Sequence, residues 1–286
     1  MTGAAEDVAD FEPHRKFLAS LAYRMLGSVA EAEDIVQDAF LRWREVDRAA
    51  IAEPRAYLAR VVSRLCLDRM KSASHRREQY VGTWLPEPVI AEPAAHLADD
   101  LSIALLLALE RLSPLERAAF LLHDVFDMDY AAVGEAIDHT EAACRQLAAR
   151  AREHVRQDRP RYPANDTEAR KLADAFLTAV ATRDMGGLVS LLADDAVIYS
   201  DGGGKRPAAL NPIVGKDRIL RFYQGLWAKG APTFSGLRAE RTTINGLPGF
   251  VFRADEGTET LSVESAGGAV VAIYQVRNPD KVRHLA

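Results

Sequence analysis

The stretch Leu112–Arg156, LSPLERAAFLLHDVFDMDYAAVGEAIDHTEAACRQLAARAREHVR, decides the architecture of this 286-residue chain. Ser113, Pro114 and Glu116 combine an N-cap, a proline in the first helical position and a capping-box acid, so a helix starts there. Leu115, Ala118, Ala119 and Leu122 follow at helical spacing. Asp129 supplies a second N-cap ahead of Ala132, Val133 and Ile137. Asp138 and His139 break that helix and Thr140 caps a third, whose buried stripe is Cys144, Leu147, Ala148, Ala151 and Val155. The opposite face carries Ala142, Arg145, Gln146, Ala149, Arg152 and Arg156, small residues alternating with long donors that reach base edges and phosphates. The segment reads as a helix-turn-helix ending in a recognition helix. Short helices joined by a tight turn also occur in ordinary bundles. The arginines at 145, 150, 152, 156, 159 and 161, against only Glu141, Glu153 and Asp158, favour nucleic acid.

The length gives room for roughly two domains, and 48% apolar residues support folded cores. A net charge of −5 excludes a protein that coats nucleic acid generally, but the charge is unevenly spread. Between Arg55 and Arg77 stand Arg55, Arg60, Arg64, Arg69, Lys71, Arg76 and Arg77 with Asp68 alone opposing them. Glu31, Glu33, Asp34 and Asp38 form an acidic run without a base. One surface suits phosphate and its neighbour suits a basic protein. Cys66 and Cys144 sit on apolar helical faces and the histidines are scattered, so neither disulfide, metal nor cofactor is implied. No signal-peptide pattern opens the chain, and no apolar run approaches the roughly 20 residues that span a bilayer. A soluble cytoplasmic protein without membrane attachment is expected.

Phe11–Leu26 reads as an amphipathic helix closed by Gly27. Ser28 and Glu31 box the start of a second, with Ala32, Ile35, Val36, Ala39, Phe40 and Trp43 inward and Asp34, Gln37 and Asp38 outward. Such an outer face is either simply solvated or a partner surface. Pro54 starts a basic helix with Leu58, Val61, Val62 and Leu65 inward, flanked by Tyr57 and Tyr80, which suit base stacking or a core. From Tyr80 to His96 the prolines at 86, 88 and 93 impose an extended linker containing Trp84 and Leu85. Helix resumes from Leu101 to Arg111, and Pro160 and Pro163 mark a second boundary. Beyond it come helices around Phe176 and Leu188. β-rich runs follow at 196–200, 237–244, 249–253, 259–265 and 269–276, with a helix over 215–227, the pattern of an α+β layer with one sheet face covered.

The strings AEDIVQDAFLRWRE (32–45), AYLARVVSRLCLDRMKSASHRRE (56–78) and the helix-turn-helix block, in that order, resemble the extracytoplasmic-function sigma factors of bacterial RNA polymerase. WLPEP at Trp84–Pro88, DGGGK at Asp201–Lys205 and VRNPDKVRHL at 276–285 resemble the subgroup bearing a SnoaL-like extension. The resemblance implies a multi-domain chain: all-α sigma-70 region 2 (8–80), a WLPEP linker (81–98) and all-α region 4 (99–161), then an α+β SnoaL/NTF2-like cone (165–286). It also implies partners and roles. Asp34, Gln37, Asp38 and Arg42 would bind core RNA polymerase. Arg60, Arg64, Arg69, Lys71, Arg76 and Arg77 would act on the minus-ten promoter DNA, and Thr140, Glu141, Arg145, Gln146, Arg152 and Arg156 on the minus-thirty-five DNA. Gly134 and Asp138 depart from the alanine and glycine expected there, yet glycine permits close packing and aspartate tolerates a left-handed turn.

DGGGK is no Walker loop, because Tyr199 and Arg206 occupy the positions that need Gly and Ser or Thr. The resemblance makes it a regulatory contact. Asp201, Gly202, Gly203, Gly204 and Lys205 are expected to meet Trp84, Leu85, Pro86 and Glu87, with Asp201 and Lys205 as charged anchors. The C-terminal domain would thus contact region 2 and the linker and modulate activity. Three alternatives are weighed against this. A cyclase or isomerase would use Asp194, Asp195 or Asp201, but His284 is the only histidine of that domain and no motif fixes an acid–base pair. A stand-alone dimeric regulator leaves the Asp34 face unexplained. An anti-sigma partner or a small ligand in the cone could also supply the control. The chain is expected not to be an enzyme.

Overall fold

The computed structural model describes residues 2–78, 80–90, 102–157, 166–230, 238–254 and 257–285, with side chains from residue 7 and, in the first stretch, as far as 71. The chain divides into two compact units, Met1–Gln79 with Ala104–Arg159, and Tyr80–Ile103 with Pro160–Ala286. The connector between the two helical blocks therefore groups with the C-terminal residues.

The first unit is helical: α1 (Thr2–Leu26), α2 (Val29–Glu45), α3 (Pro54–Glu78), α4 (Ile103–Glu110), α5 (Pro114–Phe120), α6 (Tyr130–Ile137) and α7 (Glu141–Gln157). α1 begins well before Phe11 and runs through Pro13. Its added turns are held by Asp7 and Asp10, which pair with Arg48 at 2.8 Å each. Phe11, Leu18, Leu21, Met25, Ile35, Trp43, Leu58 and Val62 form the buried seam of α1, α2 and α3. Cys66 and Cys144 are buried free thiols, and burial raises the thiol pKa of each.

The helix-turn-helix follows its capping signals closely. Ser113 and Glu116 complete a reciprocal capping box at α5. Asp129 accepts the Ala132 amide at 2.7 Å and Thr140 that of Ala143 at 3.3 Å. α5 does not run straight through Leu122 but ends in a π-helical turn, Leu121–Val125, a feature the apolar spacing did not reveal. Asp138 takes the left-handed conformation, φ 60° and ψ 49°, that closes α6. At Gly134 a β-carbon would stand 2.6 Å from the His139 carbonyl oxygen, so only glycine lets the turn tuck under the helix.

The second unit is a six-stranded sheet in the order β2-β1-β6-β5-β4-β3 with helices on one face. Its elements are α8 (Asp166–Thr182), α9 (Met185–Leu191), β1 (Leu192–Asp201), β2 (Ile213–Val214), α10 (Lys216–Ala228), β3 (Arg238–Ile244), β4 (Leu247–Ala254), β5 (Gly257–Ala266) and β6 (Ala269–Val276). β1 is longer than its β-rich core and lies parallel to β6, while the other pairings are antiparallel. The two-residue β2 is too short for any alternation to betray it. Phe176, Tyr223, Phe250, Phe252, Leu261, Val263 and Ile273 fill the space between helices and sheet. Asn245 (φ 48°) and Gly246 (φ 76°) make the positive-φ turn that joins β3 to β4.

Gly134→Ala is expected to destabilise the chain by about 1–3 kcal/mol through overpacking. Gly225→Ala, in a helix where nothing lies within 4 Å, should be neutral or stabilise by up to about 1 kcal/mol. Thermal unfolding of the two variants measures the contrast.

Candidate functional site

Three exposed faces of the helical unit and one buried cluster of the second unit carry the chemistry. On α2, Asp34, Gln37, Asp38 and Arg42 are all exposed and follow one another at helical spacing. Leu41, 47% exposed, lies among them. The acidic face is complementary in charge to a basic surface.

On α3, Arg60 stands 3.7 Å from the Glu135 carboxylate of α6 and over the Tyr57 ring, and Arg64 donates to the Glu135 carbonyl at 3.2 Å. Arg69 lies 3.7 Å from Glu31, and Lys71 pairs with Asp68 at 3.0 Å. These pairs are partly or fully exposed and contribute about 0–1 kcal/mol each, so phosphates can displace the acids. Arg76 and Arg77 fall outside the described side chains.

On α7, Arg145, Gln146, Arg152 and Arg156 are exposed, as are Thr140 and Glu141 at its start. Arg145 pairs with Glu141, and Arg156 with Glu153 at 2.9 Å. Arg150, outside the predicted reading face, pairs with Glu116 at 2.8 Å.

The fourth assembly is centred on Asp201, at the end of β1 and fully buried. A carboxylate without water needs donors for its lone pairs, and Asp201 has four. One oxygen accepts from the Tyr80 hydroxyl at 2.5 Å and the Gly203 amide at 3.0 Å. The other accepts from the Leu85 amide and the Lys281 ammonium, both at 2.8 Å. Lys281 also donates to the Leu85 carbonyl at 2.5 Å and lies 4.1 Å from the Trp84 ring centroid, a cation–π geometry. Asn278 donates to the Tyr80 oxygen at 2.8 Å. Burial, followed by the hydrogen bond to Asp201, drives the Tyr80 phenol far above its usual pKa.

The glycines of DGGGK make this approach possible. A β-carbon at Gly203 would lie 2.2 Å from Asn278 Nδ2, and one at Gly202 would lie 2.1 Å from the Arg206 carbonyl oxygen. Gly204, at φ 70°, brings the loop against Val81. Leu85, Pro86, Glu87 and Pro88 are all buried. Beyond them Val89 exchanges two hydrogen bonds with Asn245, at 3.1 and 2.9 Å, and Ile90 bridges to Ile244. His284 bonds the Pro88 carbonyl at 2.8 Å.

The expected meeting of Asp201 with Leu85 is thus present in the geometry, but Lys205 is not its companion. Lys205 is half exposed and pairs with Asp280, and the cation on Asp201 is Lys281. Tyr80 is not a free stacking platform, since its hydroxyl and ring both belong to this cluster. Sequence reasoning missed Lys281, Asn278, Asn245 and His284 as linker contacts. The first, second and fourth lie in the quoted VRNPDKVRHL string, the available signal for them. The linker beyond Ile90 and the prolines at 160 and 163 lie outside the described residues.

Of the acids weighed for catalysis, Asp194 and Asp195 are exposed and Asp201 is buried. Asp201 is saturated by donors, and Asp194 pairs with Lys216 with its own side chain 98% exposed. Glu264 is a buried carboxyl whose pKa burial raises, with Tyr274 donating to it at 2.6 Å. Strand alternation points it away from Leu261 and Val263 and the filled core. Among the described residues no helix is long and apolar enough to cross a membrane.

A two-block helical unit ending in a capped helix-turn-helix, with an acidic face and a basic helix, defines a sigma-70-type initiation factor. The sigma-70 region 2 family matches residues 11–76, sigma-70 region 4 residues 102–155, and the SnoaL-like domain residues 173–283. The chain belongs to the extracytoplasmic-function RNA polymerase sigma factors. It is 40% identical to the ECF RNA polymerase sigma factor SigJ of Mycobacterium tuberculosis, over 96% of this chain and 93% of that one. It is 33% identical to the probable ECF RNA polymerase sigma factor SigI of the same species, over 95% and 93%. The crystal structure of M. tuberculosis SigJ aligns with a TM-score of 0.79 at 38% identity, over 96% of this chain and 98% of that one.

Asp201→Ala strands Lys281 without its carboxylate and is expected to cost about 3–5 kcal/mol. Lys205→Ala removes an exposed pair and should cost no more than about 1 kcal/mol. Urea unfolding of both variants tests the difference.

Proposed function

We propose that this sigma factor is regulated by its own C-terminal unit, which holds the linker between region 2 and region 4 as part of its own fold. The division at 8–80, 81–98, 99–161 and 165–286 is the functional one in this reading. The exposed α2 face of Asp34, Gln37, Asp38 and Arg42 meets core RNA polymerase. Arg60, Arg64, Arg69, Lys71, Arg76 and Arg77 handle the minus-ten element, and Thr140, Glu141, Arg145, Gln146, Arg152 and Arg156 the minus-thirty-five element. The SnoaL-like unit acts without catalysis.

The observation that carries the reading is the buried Asp201 carboxylate, two of whose four donors are the Leu85 amide and the Tyr80 hydroxyl of the connector. A tether pinned along its length limits the separations its ends can reach, and two DNA-binding modules engage two sites together only when the tether spans them. Arg60 and Arg64 meanwhile rest on Glu135 in weak, exposed contacts that promoter phosphates can displace. A docked linker restricts the separations that regions 2 and 4 can adopt, and a released one widens them.

The test is run-off transcription with the full chain and purified bacterial core RNA polymerase on the promoter of its own gene. The paired replacement Asp201→Asn with Lys281→Met unlocks the linker while leaving no buried unpaired charge. It is expected to raise promoter-specific transcription severalfold with a cooperative unfolding transition retained. Unchanged or lower output from a folded variant would contradict the regulatory reading.

A further inference from the structure

Tyr130, the first residue of α6, belongs to none of the groups assigned so far. Its ring is half-buried and stacks on His123, with centroids 3.8 Å apart and planes at 27°. His123 is fixed in turn, because its Nδ1 contacts the Met128 carbonyl at 2.8 Å. The Arg145 guanidinium lies over the Tyr130 ring at 5.2 Å from its centroid. The Tyr130 hydroxyl accepts from Arg152 Nη2 at 2.5 Å, while Arg152 Nε meets Asp124 at 2.8 Å. Both arginines are long, exposed side chains of the recognition helix, two turns apart, and one aromatic residue of the preceding helix touches both.

The π-helical turn explains how these groups assemble. It holds both His123 and Asp124, and the wider turn departs from the straight continuation of α5 that the apolar spacing predicted. His123 thereby supports the Tyr130 ring and Asp124 supports the Arg152 fork. Burial pushes the Asp124 carboxyl above its ordinary value, and the Arg152 charge acts against that rise.

We propose that Tyr130 is a positioning residue for promoter recognition, a rack that presents Arg145 and Arg152 to the minus-thirty-five DNA. An arginine side chain loses much rotamer freedom when it binds, and one already ordered loses less. The ring orders Arg145 through its face and the hydroxyl orders Arg152 through one hydrogen bond. The Glu141 and Asp124 carboxylates hold the same arginines until phosphates or base edges replace them. Tyr130 thus sets how selectively α7 reads its site. This rests on the reading that α7 contacts the minus-thirty-five element.

The experiment measures binding of the full chain, assembled with core RNA polymerase, to promoter duplexes carrying the native or a scrambled minus-thirty-five element. Four variants are compared: Tyr130→Phe, Tyr130→Ala, the Arg145→Ala Arg152→Ala pair, and that pair combined with Tyr130→Ala. Tyr130→Ala is expected to reduce native-over-scrambled preference about tenfold, the scale of one good base contact. Tyr130→Phe, which keeps the ring under Arg145, should lose distinctly less. In the arginine-deleted background Tyr130→Ala should lower the preference no further, because nothing remains to position. Two results overturn the proposal: a full loss that persists in that background, the mark of a merely structural role, or a Tyr130→Ala variant with native preference. If the arginine pair itself leaves preference unchanged, the α7 reading fails, which is a separate outcome.

Discussion

A carboxylate removed from water must be satisfied on every side, and at Asp201 that requirement reaches across the chain. Its donors come from residues 80, 85, 203 and 281, so the linker, the glycine loop and the C-terminal segment close together or not at all. The charge of Lys281 offsets that of Asp201, and the backbone bonds of Leu85 make the arrangement specific to an extended WLPEP path. Prolines at 86 and 88 suit this geometry, since they fix an extended chain and carry no amides of their own to satisfy. The dense glycines of DGGGK answer a steric demand, as side chains there would overlap Asn278 or the Arg206 carbonyl.

The same economy governs the α7 face proposed to read DNA. Every N-cap in the helix-turn-helix is a short polar side chain one turn from the amide it binds, which fixes the helix starts around a core of Leu122, Val133, Ile137, Leu147 and Val155. The arginines meanwhile rest on displaceable acids. Rigid backbone with exchangeable side-chain partners suits a surface that must trade carboxylates for phosphates at little cost.

How much of this was legible follows from the range of the interactions. Caps and the apolar stripes of α2 and α7 depend on residues near in sequence and could be read directly, while the left-handed turn at Asp138 was marked by the resemblance. The β-rich runs declared themselves by composition and turns, but the parallel partnership of β1 with β6 joins residues at least 75 positions apart in sequence, such as Val197 and Ala272, and leaves no local trace. The π-helical turn is invisible because Leu121 and Leu122 continue the apolar spacing of α5. At the linker, the glycine loop and the tryptophan segment were marked by resemblance, whereas the choice of cation was not. Lys205 lies in the glycine motif and Lys281 in the VRNPDKVRHL string, and only the fold shows that the nearer lysine in sequence faces Asp280.

The most direct measurement of the central claim is amide hydrogen exchange of the 286-residue chain, resolved at Leu85 and Val89. If the linker is a built part of the C-terminal unit, these two amides exchange with protection approaching that of β5, whose opening requires unfolding of the unit. Exchange at the rate of an unstructured chain, with β5 still protected, would show that the linker is only loosely laid against the fold and would contradict the account.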